Sequence, residues 1–365
     1  MKRESHGPDL ILFLVTVALL SIGVIMVFSS SSIKALEELG DPYYYLKRQL
    51  FFAMLGIVAM IVVMNIDYKT YARWTVPFLV VSLVLLIMVP FIGAEISGSR
   101  RWLNLGLFNL QPSELGKLAM ILFVANWVVK VKGRIQNFFV LLVPLLVMGV
   151  FFALIMMEPD LGTAATLAAT TLIMLFASGA KIGHFFLLAI PAVPAFIALV
   201  LAEPYRLRRL MAFRDPWSDP LGAGFHIIQS LLALGSGGLF GLGLGRSRQK
   251  FWYLPEQHTD FIFAILGEEL GFIGTFLVLV LFLLFAWRGL RIAMTAPDLF
   301  SSILSVGITA QIVLQAVVNI GVVSGTLPIT GITLPLISYG GSSLLITLSA
   351  VGVLLNISRQ RTFAK

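Results

Sequence analysis

Three groups of residues in this 365-residue chain have types and spacings that chemistry could use. The first is Leu254-Pro255-Glu256-Gln257-His258-Thr259-Asp260, immediately before a long apolar run that begins near Phe261. A carboxylate at such a boundary has two readings. Asp is a favoured helix N-cap, and Thr259 could serve in its place. Alternatively, Asp260 is a general base acting on a hydroxyl, with His258 and Glu256 nearby. A helix N-terminus favours the ionised form that a base requires. The second group is Glu114 and Lys117, whose i,i+3 spacing puts them on one helix face. An ionisable group inside a membrane span costs roughly 2.5–3.5 kcal/mol on insertion scales, so the two are expected to pair. The pair either fixes helix packing or lines a substrate cavity, and Glu268 and Glu269 pose the same choice. The third group is basic: Arg206, Arg208, Arg209, Arg246, Arg248 and Lys250 need an anionic partner, either phosphate or lipid headgroups.

Other patterns read as structural. Glu158-Pro159-Asp160-Leu161-Gly162 has the form of a tight turn between two spans; its two close carboxylates could bind a cation, but one short turn favours the structural reading. Gln311, Gln315 and Asn319 recur every four residues, a polar stripe expected to make interhelical hydrogen bonds. The glycines of 235–245 never satisfy G-x-G-x-x-G, and Gly116-Lys117 lacks the P-loop context, so this chain is not expected to use ATP. Those glycines are expected in turns or close helix contacts. There are no cysteines, and His6, His184, His226 and His258 are scattered, so no disulfide and no metal cluster is expected.

The elements that must position these groups follow from composition. Only 12% of residues are charged and 58% are hydrophobic, with a mean hydropathy of +0.96. Soluble domains carry about 25% charged residues. This chain cannot cover a water-facing surface, so its outside must face lipid. Apolar runs fall at 10–28, 50–66, 75–92, 115–129, 138–157, 163–178, 185–202, 261–287, 299–323 and 342–357. A span needs about 20 such residues. The reading is an all-α polytopic bundle of about ten transmembrane helices forming one domain, 1–365. The start, Lys2-Arg3 followed by an apolar run, resembles a signal peptide but is read as a retained first span. Lys2, Arg3, Lys69, Arg73, Lys130, Lys132, Arg134, Lys181, Arg288, Arg291, Arg359, Arg361 and Lys365 fall on one side, which predicts that side, with both termini, to be cytoplasmic. The outside then holds loops at 29–49 and 93–114 and a long one at 203–260, where function is expected.

Gly98–Trp102, Gln111-Pro112-Ser113-Glu114, Glu158–Gly162, Leu254–Phe263 and Leu334–Ser343 together resemble the shape, elongation, division and sporulation family of bacterial peptidoglycan polymerases. Tyr205–Phe213 and Gly267–Gly271 are more similar to the division and sporulation branch, while Gly325–Gly331 departs slightly from it and keeps the rod-elongation branch open. The resemblance implies a ten-helix fold in the bacterial cytoplasmic membrane and lipid II as substrate, joined by an inverting glycosyltransferase that needs no nucleotide cofactor. It implies that Asp260 is catalytic, with Glu114 and Lys117 an acid–base pair in a central cavity. The implied substrate-binding set is Glu114, Lys117, Arg100, Arg101, Arg206, Arg209, Arg246, Lys250, His258, Ser338, Ser342 and Ser343. No protein-bound metal is implied, and a divalent cation on the pyrophosphate stays open. The implied partners are a single-pass class B penicillin-binding transpeptidase and the division or sporulation machinery, with no nucleic acid. Two other functions fit the same composition: a lipid II flippase with the intramembrane polar residues as its path, and a scaffold for division.

Overall fold

The computed structural model describes residues 7–96, 99–106, 108–131, 133–251 and 254–360. Lys2, Arg3, His6, Gly98, Lys132, Arg361 and Lys365, which entered the readings above, lie outside them. Helices dominate: α1 (Leu10–Leu39), α2 (Tyr44–Met64), α3 (Tyr68–Ile92), α4 (Pro112–Lys130), α5 (Phe138–Met157), α6 (Leu161–Ala177), α7 (Ile182–Leu201), α8 (Pro204–Arg214), α9 (Phe225–Ser236), α10 (Ile262–Met294), α11 (Leu299–Val323) and α12 (Gly341–Ser358). All but α8 and α9 coincide with the ten apolar runs. Among the described residues, nine helices are long and apolar enough to cross a bilayer, and α6, with 17 residues, is marginally shorter. The protein is a multi-pass membrane protein.

Helix ends follow local chemistry. Asp9, Asp67, Asp160 and Asp298 cap α1, α3, α6 and α11, each accepting a backbone N–H of the first turn. Pro112 opens α4 at a position that needs no N–H. α4, α11 and α12 are the most enclosed spans, with α11 packed on α10, α4 and α6, and α12 packed on α2. α7 stands at the periphery and buries only Val200.

Three features depart from the sequence reading. First, α1 continues through Ser29–Leu39, which was expected to be loop. Ser29, Ser30 and Ser31 end the apolar run without ending the helix, because all three are buried and their hydroxyls donate to Glu269 or to the Val27 carbonyl. Second, the connection after α3 forms a small antiparallel sheet of β1 (Ala94–Ile96), β2 (Ser99–Asn104) and β3 (Asn109–Leu110), in that spatial order. These strands are too short to show an alternation in sequence. Third, the long connection 203–260 is built into the bundle. At 33 residues, an unbroken α10 would run about 50 Å, well beyond a hydrocarbon core of about 30 Å. It breaks at Gly271 (φ 66°, ψ −163°). Across the break, Leu242 and Gly243 donate backbone N–H groups to the Glu268 and Glu269 carbonyls, and Phe272 and Ile273 donate to Gly238 and Leu239. A Cβ on Gly241 or Gly271 would strike the other segment's backbone. The glycine-rich segment is therefore a close-packing device, as expected.

Candidate active site

Asp260 ends a turn that starts at Glu256. The Glu256 carbonyl accepts from the backbone N–H of Thr259 and of Phe261 at 3.2 Å each, and its carboxylate accepts from the Thr259 hydroxyl at 2.8 Å. Glu256 itself has φ +52°, left-handed backbone that a side chain rarely adopts. The turn is tied to the segment before α12. Ser338 Oγ donates to the Thr259 carbonyl at 2.6 Å. Tyr339 N–H donates to the His258 carbonyl at 2.9 Å. Asn319, at the end of α11, donates to the Asp260 carbonyl at 2.7 Å. The N-cap position of α10 is Phe261, with no side-chain cap bond. Asp260 thus stands one residue ahead of the N-cap position of that helix.

Charged groups from three other elements face it. Arg101, on β2, donates Nε to the Glu158 carbonyl at 3.0 Å and Nη2 to the Pro159 carbonyl at 2.7 Å, with Nη1 3.7 Å from Asp160 Oδ2. Arg209, on α8, lies 4.4 Å over the Tyr205 ring and donates to the Ile329 carbonyl at 3.1 Å. A Cβ built on Gly331 would lie 3.6 Å from Asp260 Oδ2 and 3.9 Å from Arg101 Nη1. The base candidate and the guanidinium thus converge on one glycine. Burial pushes the Asp260 carboxyl up to about 7; the Glu256 and Asp160 carboxylates add to this, and Arg101 and Arg209 oppose it. Burial, with Asp160 beside it, likewise pushes Glu158 up to about 8 against the pull of Arg101.

Next to Arg209 an apolar cavity of about 210 Å³ opens between α7, α8 and the 328–330 segment, lined by Phe196, Val200, Tyr205, Arg206, Arg209 and Ile329 among others. Two arginines line a cavity that is otherwise mostly hydrophobic. Glu114 and Lys117 lie elsewhere, in a small cavity of about 30 Å³ shared with Gln311 and Gln315. Lys117 Nζ is 2.8 Å from Glu114 Oε1 and 2.8 Å from Gln315 Oε1. Gln315 reaches the Thr333 carbonyl at 3.1 Å, so the α11 stripe runs from this pair toward the turn of Asp260.

Of the remaining anticipated site residues, Arg206 stays with Arg209 in the lining of the cavity between α7 and α8 and the others are dispersed. Arg100 is exposed and 3.4 Å from Glu95. Arg206 donates to the Leu199 carbonyl at 2.7 Å. Arg246 is exposed on the far loop. Lys250 is turned inward, 3.4 Å from the buried Glu269 and 2.6 Å from the Gly245 carbonyl. Glu268, which accepts from Ser247 Oγ and the Arg248 N–H, anchors the same loop. His258 is buried between Tyr45 and Tyr339, with ring centroids 4.5 and 5.7 Å away. Burial pushes its imidazole down to about 4. His258 is thus a neutral packing group between Tyr45 and Tyr339. Ser342 accepts from the Gln111 N–H at 3.3 Å, and Ser343 is half-buried beside it. Asp160, Asn319 and Gly331 join the site, although the sequence placed none of them among the site residues. Their nearness to Asp260 arises from pairings of distant segments that no local pattern displays.

A model of the cell cycle protein family that groups FtsW, RodA and SpoVE matches residues 9–363. The chain belongs to this family. Stage V sporulation protein E of Bacillus subtilis (strain 168) is 50% identical over 98% of this chain and 99% of its own length. A probable peptidoglycan glycosyltransferase FtsW of Geobacter sp. (strain M18) is 45% identical over 98% of each. Among solved structures of the FtsW, RodA and SpoVE family, the crystal structure of Thermus thermophilus rod shape determining protein RodA matches with a TM-score of 0.73 at 29% identity, covering 98% of each chain. A chain from a peptidoglycan synthase complex matches with a TM-score of 0.81 at 30% identity, covering 96% of this chain and 98% of that one. The SpoVE and FtsW relatives put this family member on the division and sporulation branch.

Proposed function

We infer that the chain is a peptidoglycan glycosyltransferase that polymerises lipid II, a disaccharide-pentapeptide on undecaprenyl pyrophosphate, at the outer face of the bacterial cytoplasmic membrane during division or sporulation. The observation that carries the mechanism is geometric: the Asp260 carboxyl and the Arg101 guanidinium converge on Gly331, with Arg209 and an apolar cavity beside them, and burial pushes that carboxyl up to about 7. A base works best when its pKa lies near the working pH. Asp260 takes the proton of the acceptor sugar hydroxyl. That oxygen attacks the anomeric carbon of the lipid-linked chain from the side opposite the pyrophosphate. The new C–O bond forms as the bond to the pyrophosphate oxygen breaks and the leaving group departs with the electron pair. Arg101, Arg206 and Arg209 are suited to balance the charge that develops there. The mostly apolar cavity between α7 and α8 suits the start of a polyprenyl chain. The substrate carries its own activation, so no nucleotide cofactor enters the scheme, and a divalent cation on the pyrophosphate is compatible with it.

The relative from a peptidoglycan synthase complex, whose name couples polymerization with crosslinking, supports a penicillin-binding protein as partner. We take this to be a single-pass class B transpeptidase within the division or sporulation machinery. The deciding experiment is polymerisation of labelled lipid II by purified Asp260→Asn with that partner, alongside a melting curve. An amide cannot take the proton, so activity should fall at least about 100-fold with the fold intact. Glycan chains at near wild-type rate would remove Asp260 as the base. Lipid II flipping has no bond-making step that needs this carboxylate, so a flippase would keep its activity in the same variant.

A further inference from the structure

We propose that Asn319 is the positioning residue of the Asp260 site, holding the catalytic turn and the Gly331–Ile332 wall at the separation the acceptor hydroxyl needs. The inference rests on Asp260 being the base. Asn319 is 1% exposed. Its single Nδ2 donates 2.7 Å to the Asp260 carbonyl and 2.7 Å to the Ile332 carbonyl. One nitrogen with two hydrogens thus bridges two chain segments more than 70 positions apart in sequence. No other residue of this length has two N–H donors on one atom. Ser and Thr have one donor, Asp has none when ionised, and Gln is a methylene longer.

The segments it joins are the two that shape the space in front of the base. Ile332 follows Gly331, which has φ +77° and faces both Asp260 Oδ2 and Arg101 Nη1. Any side chain at 331 would occupy the ground between base and guanidinium, where the acceptor oxygen must lie. Glycine keeps that ground clear, and Asn319 sets its width. Backbone strain gives an independent observation. Glu256 (φ +52°) and Leu336 (φ +66°) are non-glycine residues in left-handed backbone, one in each of the joined segments. Strain of this kind persists only where surrounding contacts over-determine the backbone. The double bridge of Asn319 is such a contact, beside Ser338 Oγ to the Thr259 carbonyl at 2.6 Å.

A merely structural asparagine would alter the amount of folded protein and leave each folded molecule working normally. A positioning residue lowers kcat in molecules that remain folded and still bind substrate. The measurement is kcat, KM and melting temperature for Asn319→Ser, Asn319→Asp and Gly331→Ala, each with the transpeptidase partner and labelled lipid II. We expect KM within about twofold of wild type, kcat about 10-fold lower for the one-donor Ser and about 100-fold lower for Asp, as a misplacement near 1 Å would give. Gly331→Ala, with Asn319 intact, should lower kcat about 10-fold by narrowing the same space. Wild-type kcat per folded molecule in Asn319→Asp overturns the proposal. If that variant does not fold, wild-type kcat in Gly331→Ala overturns it instead. Asp260→Asn in the same assay separates the two levels. Its retained activity would remove the base assignment, whereas its inactivity beside a normal Asn319→Asp would remove only the positioning role.

Discussion

The protonation of Asp260 ties activity to pH in a definite direction. A base acts only when deprotonated, and this carboxyl is pushed up to about 7, chiefly by burial and then by the Glu256 carboxylate. Polymerisation should therefore rise with pH through about 7 and fall roughly tenfold for each unit below it. Glu256 sits four residues away with its carboxylate held by Thr259 at 2.8 Å. Its negative charge disfavours a second negative charge on Asp260, so Glu256→Gln should move the rising limb to lower pH. Arg101, Arg209 and Asp160 are unchanged in that variant and continue to act on Asp260. A pH–rate profile for wild type and Glu256→Gln, on molecules shown to be folded, checks both statements. A limb that stays in place, or moves upward, would mean that Glu256 does not act on Asp260 through its charge. The residue types that make this site were legible as types. Asp260 at the head of an apolar run and the arginines beside long loops stood out in the chain. The convergence of Asp260 and Arg101 on Gly331 did not, because it requires β2, the α5–α6 turn, α8 and the end of α11 to meet. His258 and Lys250 show the converse: placed in the site by their neighbours in sequence, they turn inward to Tyr45 and to Glu269.

Apolar runs read at the scale of elements were reliable because lipid leaves backbone groups no partner outside the helix. All ten runs are helices. The misses occur where that constraint lapses. The three short strands of 94–110 lie in a connecting segment, and α1 passes through Ser29, Ser30 and Ser31 because their hydroxyls find buried acceptors. The Glu114–Lys117 pair belongs to this scale, since it lies on one face of α4 and reaches α11 through Gln315. Removing one member leaves the other charge buried among Ile121, Ile308 and Ile312, a cost of about 3–5 kcal/mol for a buried pair. Glu114→Ala and Lys117→Ala should each lower the melting temperature and the yield of folded protein more than Glu114→Gln/Lys117→Met does. The double variant should still fall below wild type, because Gln315 Oε1 loses its donor, at about 1–3 kcal/mol. A double-mutant cycle in detergent measures the coupling, and strict additivity would show that the 2.8 Å contact carries no energy of its own.

Across the whole molecule the ionisable groups divide between two faces. Asp9 bonds Arg288 and Ser358 where the start of α1, the end of α10 and the end of α12 meet. Tyr68 bonds Asp298 on that same face. The opposite face gathers Arg101, Asp160, Arg209, Glu256 and Asp260. The start of α1 and the end of α12 meet on the face of Asp9, as an even number of crossings requires. The basic residues Lys69, Arg73, Lys130, Arg134, Lys181, Arg288, Arg291 and Arg359 all fall in short segments on the face of Asp9. Positive charge in short segments resists transfer across the membrane. We therefore expect the face of Asp9 to be cytoplasmic and the face of Asp260 to be outside, where a lipid-linked sugar polymer must be released. The natural absence of cysteine makes the test direct. Single cysteines at Arg134 and at Asp219, both in described connecting segments, can be labelled in whole cells with an impermeant thiol reagent. Asp219→Cys should label without permeabilisation, and Arg134→Cys should label only after it. The reverse pattern would place Asp260 on the cytoplasmic side. It would then overturn the proposed site of polymerisation together with the topology, since the base would face away from the wall it is meant to build.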